Sequence, residues 1–278
     1  MIITVTAEEN GKELESVLRS RGFSRRLITR LKRTENGMTC KGRLIRTVDH
    51  VACGDNIVIN EGRSEALEAN PELKAEILFE DEETVVFSKP PHMPCHPSIK
   101  HQGDTLGNLF AALYPELAFR PVNRLDRDTS GCVLAAKSQR AAYALQKCFE
   151  KTYIGATPRL PFSGGRICAP IAREKESIIK RCIRDDGQYA ATDLRVTEST
   201  DRVSFVEFQL ETGRTHQIRV HMAHIGFPLL GDDLYGGDKT LIGRQALHCS
   251  KIAFISPASG EHITVYAPLP DDMLKLKT

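Results

Sequence analysis

Asn123-Arg124-Leu125-Asp126-Arg127-Asp128-Thr129-Ser130-Gly131, followed at once by Cys132-Val133-Leu134-Ala135-Ala136, is the stretch that decides the fold. Its first half clusters the residues that favour turns, and its second half is an apolar run of the length of a buried strand. Asp126 stands between two arginines where the loop becomes the strand. Side chains on a loop held by a rigid element are where binding and catalysis concentrate. Flanking guanidinium groups would favour an ionised carboxylate, as a nucleophile or base requires. A surface ion-pair turn has the same local chemistry, so the stretch alone leaves both readings open.

Working outward, the chain around this loop reads as many strands with few helices. Segments 77–79 and 84–88 form an expected strand pair across the acidic turn 80–83, and 105–114 reads as a helix. Ser138 is placed to cap a helix running to about Glu150, with Ala141, Leu145, Cys148 and Phe149 on one face. Strands are expected at 152–157, 178–184, 189–197 and 203–210, the last alternating Val206, Phe208 and Leu210 with Glu207 and Gln209. A helix opened by Thr215 carries Ile218, Met222 and Ile225 on its core side and stops at Gly226, which turns His216 and Arg219 away from that side. Strands at 246–255 and 262–267 close the chain. The regular alternation of a parallel α/β sheet is missing, so the expected class is α+β on a mixed or antiparallel sheet.

The N-terminal part has a different character. From Arg19 to Arg46 there are ten Lys/Arg against one acid, Glu35, a local balance of +9 in a chain whose net charge is only +2. Such asymmetry suits a surface facing a polyanion, because each neutralised phosphate releases counterions. A helix at 11–21 stops at Gly22, and Ser24 caps a second helix with Leu27, Ile28 and Leu31 on its apolar face. A short segment 38–40, a turn at Lys41-Gly42 and a strand 56–59 follow. The boundaries implied are a module at 1–62, a linker at 63–73 and a second domain at 74–278.

Eight cysteines show no C-x-x-C pair, and His216, His221 and His224 crowd together without partners at ligand spacing, so no metal is expected. No segment approaches a membrane span, and the N-terminus lacks a basic region followed by an apolar run, which favours a cytoplasmic location. A zinc-dependent base deaminase would need H-x-E with P-C-x-x-C, which this sequence lacks.

The loop resembles the H-R-L-D-x-x-T-S-G signature of RluA/RluD-type pseudouridine synthases, with Asn123 where histidine is usual. Residues 89–97 resemble the family's K-P-x-G-x-x-x-H-P segment, with His92 in place of glycine. Lys151-Thr152-Tyr153 resembles its K-x-Y element, and 212–221 its G-R-T/S-H-Q-I/L-R-x-H signature. The likeness continues through 226–232 and 246–270. It implies a cofactor-free enzyme that converts uridines in structured RNA to pseudouridine. Asp126 would be the nucleophile, Tyr153 would stack on the uracil as a candidate acid or base, and Arg219 would pair with Asp126. Arg124 would help occupy the space of the flipped nucleotide, and Leu125, Ile218 and Leu247 would wall the pocket.

Residues 22–32, 40–43 and 54–60 resemble the S-four-like RNA-binding module of some ribosomal proteins, synthetases and RNA modifiers. That likeness puts Arg25, Arg26, Arg30, Lys32, Arg33, Lys41 and Arg43 on RNA. Large-subunit ribosomal RNA is the favoured partner and transfer RNA the alternative, with the protein expected to be a monomer. A non-catalytic RNA-binding or ribosome-assembly protein on the same fold is the rival reading, and it predicts indifference to loss of Asp126.

Overall fold

The computed structural model describes residues 1–60, 67–146, 148–177 and 179–277, apart from the Arg26 side chain. Parts of three expectations lie outside the described residues: the junction at 61–66, the start of the strand expected from Ile178, and the contact of Arg26 with RNA.

The N-terminal unit is a four-stranded antiparallel sheet in the order Ile2–Thr4, Asn56–Ile59, Met38–Cys40, Arg43–Leu44. Two short helices, Leu14–Ser20 and Arg25–Leu31, pack on it. Ser24 Oγ accepts from Leu27 N at 3.1 Å, so the second helix starts on the cap read from sequence. Leu14, Leu18, Ile28, Leu31 and Ile57 close a core separate from the rest of the chain, each contributing roughly 1.5–3 kcal/mol by burial. The strand Ile2–Thr4 was not expected. Three residues are too few to show alternation, and its place is set by partners more than fifty residues away.

The larger unit is built on a ten-stranded sheet. Its path runs Gly164–Cys168, Ala191–Ser199, Val203–Leu210, Phe149–Pro158, Leu247–Ile255, Ser130–Ala136, Thr84–Lys89, Glu76–Glu80. All the pairings are antiparallel except one, in which His248 and Cys249 run parallel to Ser130 and Gly131. After that short contact, the strand Leu247–Ile255 leaves its parallel neighbour and pairs along Lys251–Ile255 with His262–Tyr266. The sheet therefore parts beside Gly131. There φ is +106°, and a Cβ would stand 2.2 Å from the carbonyl oxygen of Cys249. Only glycine lets the two backbones approach this closely.

The expected helix to Glu150 ends at Leu145, and Phe149 already belongs to the strand Phe149–Pro158, opposite Phe254. Pairing with a distant strand overrides the local helical spacing of Cys148 and Phe149. The strand expected at 178–184 is reduced to Arg181–Ile183, paired with an unforeseen Ile171–Arg173. The expected linker has no regular structure over 67–73, yet it is docked: Asn70 N donates to Asn108 O at 3.1 Å, and Asn108 Nδ2 donates to Glu68 O at 2.7 Å. Among the described residues no helix is long and apolar enough to cross a membrane.

Candidate active site

The loop carrying Asp126 is tied down mainly through its backbone. Thr129 N closes a turn on Asp126 O at 3.1 Å. The ammonium of Lys89 is fully buried and donates to the carbonyls of Pro90 (2.8 Å), Met93 (2.8 Å) and Arg127 (3.0 Å). Burial lowers its pKa to about 8, against weaker support from nearby groups that favour the charge. From the other side, Arg244 Nη1 donates to Asp128 O at 2.9 Å while its remaining edge grips Asp272 at 2.7 and 2.9 Å. Asn123 replaces lost ladder bonds, its amide donating to Cys132 O at 3.1 Å and accepting from Leu134 N at 2.8 Å. The asparagine in place of histidine therefore braces the loop against its own strand.

His92, the other departure from the resemblance, sits at φ +64°, a conformation in which glycine is at ease and a side chain is strained. Its Nδ1 lies 2.8 Å from Asp128 Oδ1, which also accepts from Arg127 Nε at 3.0 Å. The imidazole thus adds a contact to the loop that glycine could not make.

The Asp126 side chain opens onto a cavity of about 350 Å³, at the small end of the ~300–1,000 Å³ typical of ligand clefts. Its carboxylate accepts from Arg219 Nη1 at 3.0 Å. The opposite edge of that guanidinium is held by Asp232, Nε donating to Oδ2 at 2.7 Å and Nη2 to Oδ1 at 2.8 Å. Burial works against the arginine charge, but Asp232 and then Asp126 more than offset it, so the Arg219 pKa stands above its ordinary value. Helical spacing alone put Arg219 off the core side of its helix, while the resemblance paired it with Asp126, and the structure makes that pair. The structure also buries the arginine. A helical wheel shows which face meets the main core but not that a second buried surface waits on the other side.

His216 was also expected to face away, and it too lines the cavity, with Nε2 3.7 Å from Asp126 Oδ2 and Nδ1 2.9 Å from the Tyr235 hydroxyl. Burial pulls its pKa down and favours the neutral ring, against Asp126, whose charge favours the protonated one. The Tyr235 hydroxyl accepts from Arg181 N at 2.9 Å, and its ring centroid lies 5.1 Å from Arg219 Cζ. His221 is turned elsewhere, its two nitrogens engaged by Thr192 and the carbonyl of Ala169.

Tyr153 comes from the strand Phe149–Pro158, opposite Cys249, and is only 6% exposed. Burial, then Cys249 and Asp126, push its phenol well above the usual value, so it presents a neutral ring and hydroxyl to the cavity. Leu125, Ile218 and Leu247 are buried in the walls, and Arg124 lies exposed at the rim. The expected residues of the larger unit thus converge on one chamber. Asp232 and Tyr235 were not singled out from sequence. The only trace was Asp232 at the end of the quoted 226–232 stretch, and nothing local signals a buried partner thirteen residues from Arg219.

The expected RNA-contacting residues of the N-terminal unit lie elsewhere, on its own surface. Acids distant in sequence return to several of its basic side chains: Lys32 meets Glu15 at 3.2 Å and Lys41 meets Asp55 at 2.8 Å. Counted over residues 1–60, eleven Lys/Arg face seven acids, so the +9 of the short window falls to +4. Arg25, Arg33 and Arg43 are exposed, and among the described residues no carboxylate pairs with them; Arg30 is exposed as well.

A carboxylate gripped by a buried guanidinium, in a small chamber with a neutral tyrosine, is equipped for covalent or proton-transfer chemistry on a group that enters the chamber. Residues 83–224, from the strand beneath the loop to the end of the Arg219 helix, match the RNA pseudouridylate synthases, and the chain belongs to that family. Among its relatives, the Bacillus subtilis RNA pseudouridine synthase YjbO is 39% identical, over 92% of this chain and 94% of that protein. The ribosomal large subunit pseudouridine synthase D of Pseudomonas aeruginosa is 36% identical, over 86% and 82%. The solved structure of human RNA pseudouridylate synthase domain containing 1 superposes with a TM-score of 0.60 at 26% identity, over 70% of this chain and 83% of that one. The protein is an RNA pseudouridine synthase, an isomerase acting on uridine in RNA.

Proposed function

We propose that the chain modifies uridines of large-subunit ribosomal RNA, with Asp126 as the reacting carboxylate. The observation that carries the chemical part is the ion chain Asp126–Arg219–Asp232 at the wall of the chamber. Three charged groups with one net negative charge hold a single carboxylate oxygen toward the space a nucleoside would fill. Tyr153 offers a stacking face and a hydroxyl, Leu125, Ile218 and Leu247 exclude water, and Arg124 at the rim meets the RNA that surrounds the flipped residue.

The likeness to synthases whose names specify the ribosomal large subunit supports this substrate. We read residues 1–62 as an S-four-like arm that binds RNA backbone through Arg25, Arg26, Arg30, Lys32, Arg33, Lys41 and Arg43, joined through 63–73 to a catalytic domain at 74–278. Carbodiimide mapping of total RNA from cells carrying wild type, Asp126→Ala or no gene tests both parts. The expected result is one or more large-subunit uridines that lose their signal equally in the variant and the deletion. Modification that survives Asp126→Ala refutes the assignment of the carboxylate. A lost signal in transfer RNA instead refutes the substrate.

A further inference from the structure

Lys151 leaves the strand Phe149–Pro158 two residues before Tyr153, so strand alternation puts both side chains on the face that lines the chamber. Its ammonium nitrogen lies 5.9 Å from the centroid of the Tyr153 ring and 5.4 Å from that of Phe149. A Cβ on Gly213 would stand 4.0 Å from the same nitrogen, so the bare glycine leaves that side of the ammonium open. Among the described residues no carboxylate or carbonyl accepts a hydrogen bond from it. Lys89, by contrast, spends its donors on three carbonyls.

Lys151 is half-buried, and even partial withdrawal of an ammonium from water without an anion is unfavourable, a cost of which cation–π contact returns about 0.5–2 kcal/mol. Burial accordingly presses its pKa below that of an ordinary lysine. Such a cation makes physical sense if the reaction brings an anion to it. The isomerisation does so. Whichever route the sugar takes, the C1′–N1 bond breaks with its electron pair left on N1, and the freed uracil carries a negative charge spread over N1, O2 and O4. On a covalent route an Asp126 oxygen supplies the pair to C1′ and is released when C5 attacks. On an elimination route the carboxylate takes the 2′ proton and returns it. In both, C5 loses a proton and N1 gains one, with no net oxidation.

We propose that Lys151 is a catalytic residue that stabilises the detached uracil anion while it turns between N1 and C5 attachment. An ammonium with three rotating donors can follow a turning charge, which a fixed planar fork cannot do as well. The inference rests on the chamber around Asp126 being the reaction site, and the Asp126→Ala experiment tests that reading separately.

The test uses the full chain and a short transcript spanning the mapped uridine, prepared with either uridine or 5-fluorouridine at that position. Fluorine makes the uracil more acidic and so a better leaving group. Lys151→Met is expected to keep RNA affinity within about twofold and to slow single-turnover loss of the parent uridine about a hundredfold, the scale of losing one donor to a developing anion. The 5-fluorouridine transcript should lose several-fold less, and Lys151→Arg, which keeps the charge in a fixed fork, should restore only part of the rate. Equal losses on both transcripts, an unchanged rate, or a defect confined to RNA affinity, as for a phosphate anchor, overturns the proposal. Should the methionine variant fail to fold, Lys151→Gln carries the same comparison.

Discussion

Asp232→Asn removes one charge from the centre of the site while keeping the shape of the side chain. In the native protein both carboxylate oxygens are fully buried and each accepts one donor of Arg219, at 2.7 and 2.8 Å. The carboxamide can accept only one of those bonds, and its NH₂ faces the second donor. Losing one partner of a buried ion pair costs about 3–5 kcal/mol, and a retained hydrogen bond to a charged group returns about 1.5–3. The net expected loss is about 2 kcal/mol. For a unit of some two hundred residues that lowers the melting midpoint by roughly 4–8 °C. The second consequence is geometric: Nη1 points at Asp126 because the other edge of the fork is pinned, so a freed guanidinium turns and the single-turnover rate falls at least about tenfold. A thermal melt and single-turnover pseudouridine formation measure the two effects, and a cycle with Arg219→Met should give a coupling of about 2 kcal/mol between the positions. A midpoint within about 2 °C of wild type together with a rate within twofold would refute the claim that Asp232 aims the arginine.

Three further outcomes are expected. Gly131→Ala drives a methyl group into the Cys249 carbonyl at a φ reserved for glycine, and it should cost more than about 3 kcal/mol or abolish folding, read by urea denaturation. His248 is held neutral between the Ser130 hydroxyl and the Ala267 carbonyl, and burial pulls its pKa to about 4. The unfolded chain then binds the extra proton first, so stability should decline by up to about 3 kcal/mol as pH falls from about 6.5 to 4, and His248→Gln should flatten that slope in a pH series of denaturation curves. His92→Gly relieves a strained backbone but loses the Asp128 contact, which should leave stability within about 1 kcal/mol of wild type, whereas His92→Val, β-branched at φ +64°, should cost more than about 2; equal effects in denaturation would show that the backbone is not strained.

The strand after Gly131, the helix from Gln217 and the Ser24 cap were legible because each is written in contiguous residues: an apolar run, a helical spacing, a hydroxyl before a helix. The errors share one cause. Phe149 fits a helical face as well as a strand, and only Phe254, a hundred residues on, decides between them. Arg219 and His216 lie off the apolar stripe of their helix, which ordinarily means solvent. Here the far side meets the loop of Asp126 and the turn of Asp232 and Tyr235. The positive window at 19–46 overstated the local field because Glu9, Glu15, Asp49 and Asp55, all outside it, fold back onto its side chains.

Two departures from the resembled pattern acquire reasons only in three dimensions. Asn123 serves as a substitute rung of the sheet, and His92 occupies a backbone conformation that explains why glycine is usual there. Both lie on the support of the loop. The ion chain that faces the cavity is untouched by either.

The support of the loop also separates two uses of buried charge. Lys89 and Arg244 come from segments more than 150 residues apart, yet each grips a backbone carbonyl of the same short loop, of Arg127 and of Asp128. Arg219, from a third segment, grips the side chain of Asp126, the residue just before them. A carbonyl clamp fixes where the Cα of Asp126 sits, and a guanidinium fixes where its oxygen points. Neither grip needs RNA to be present, so on the proposed assignment the carboxylate is aimed before the substrate arrives and little reorganisation remains for the reacting step. What stays open in the chamber is the space between Asp126 and Tyr153, and the half-buried cation beside that tyrosine, Lys151, has no anion of its own among the described residues. The protein pairs the charges that hold its loop and leaves without an anion the one we propose meets the detached uracil.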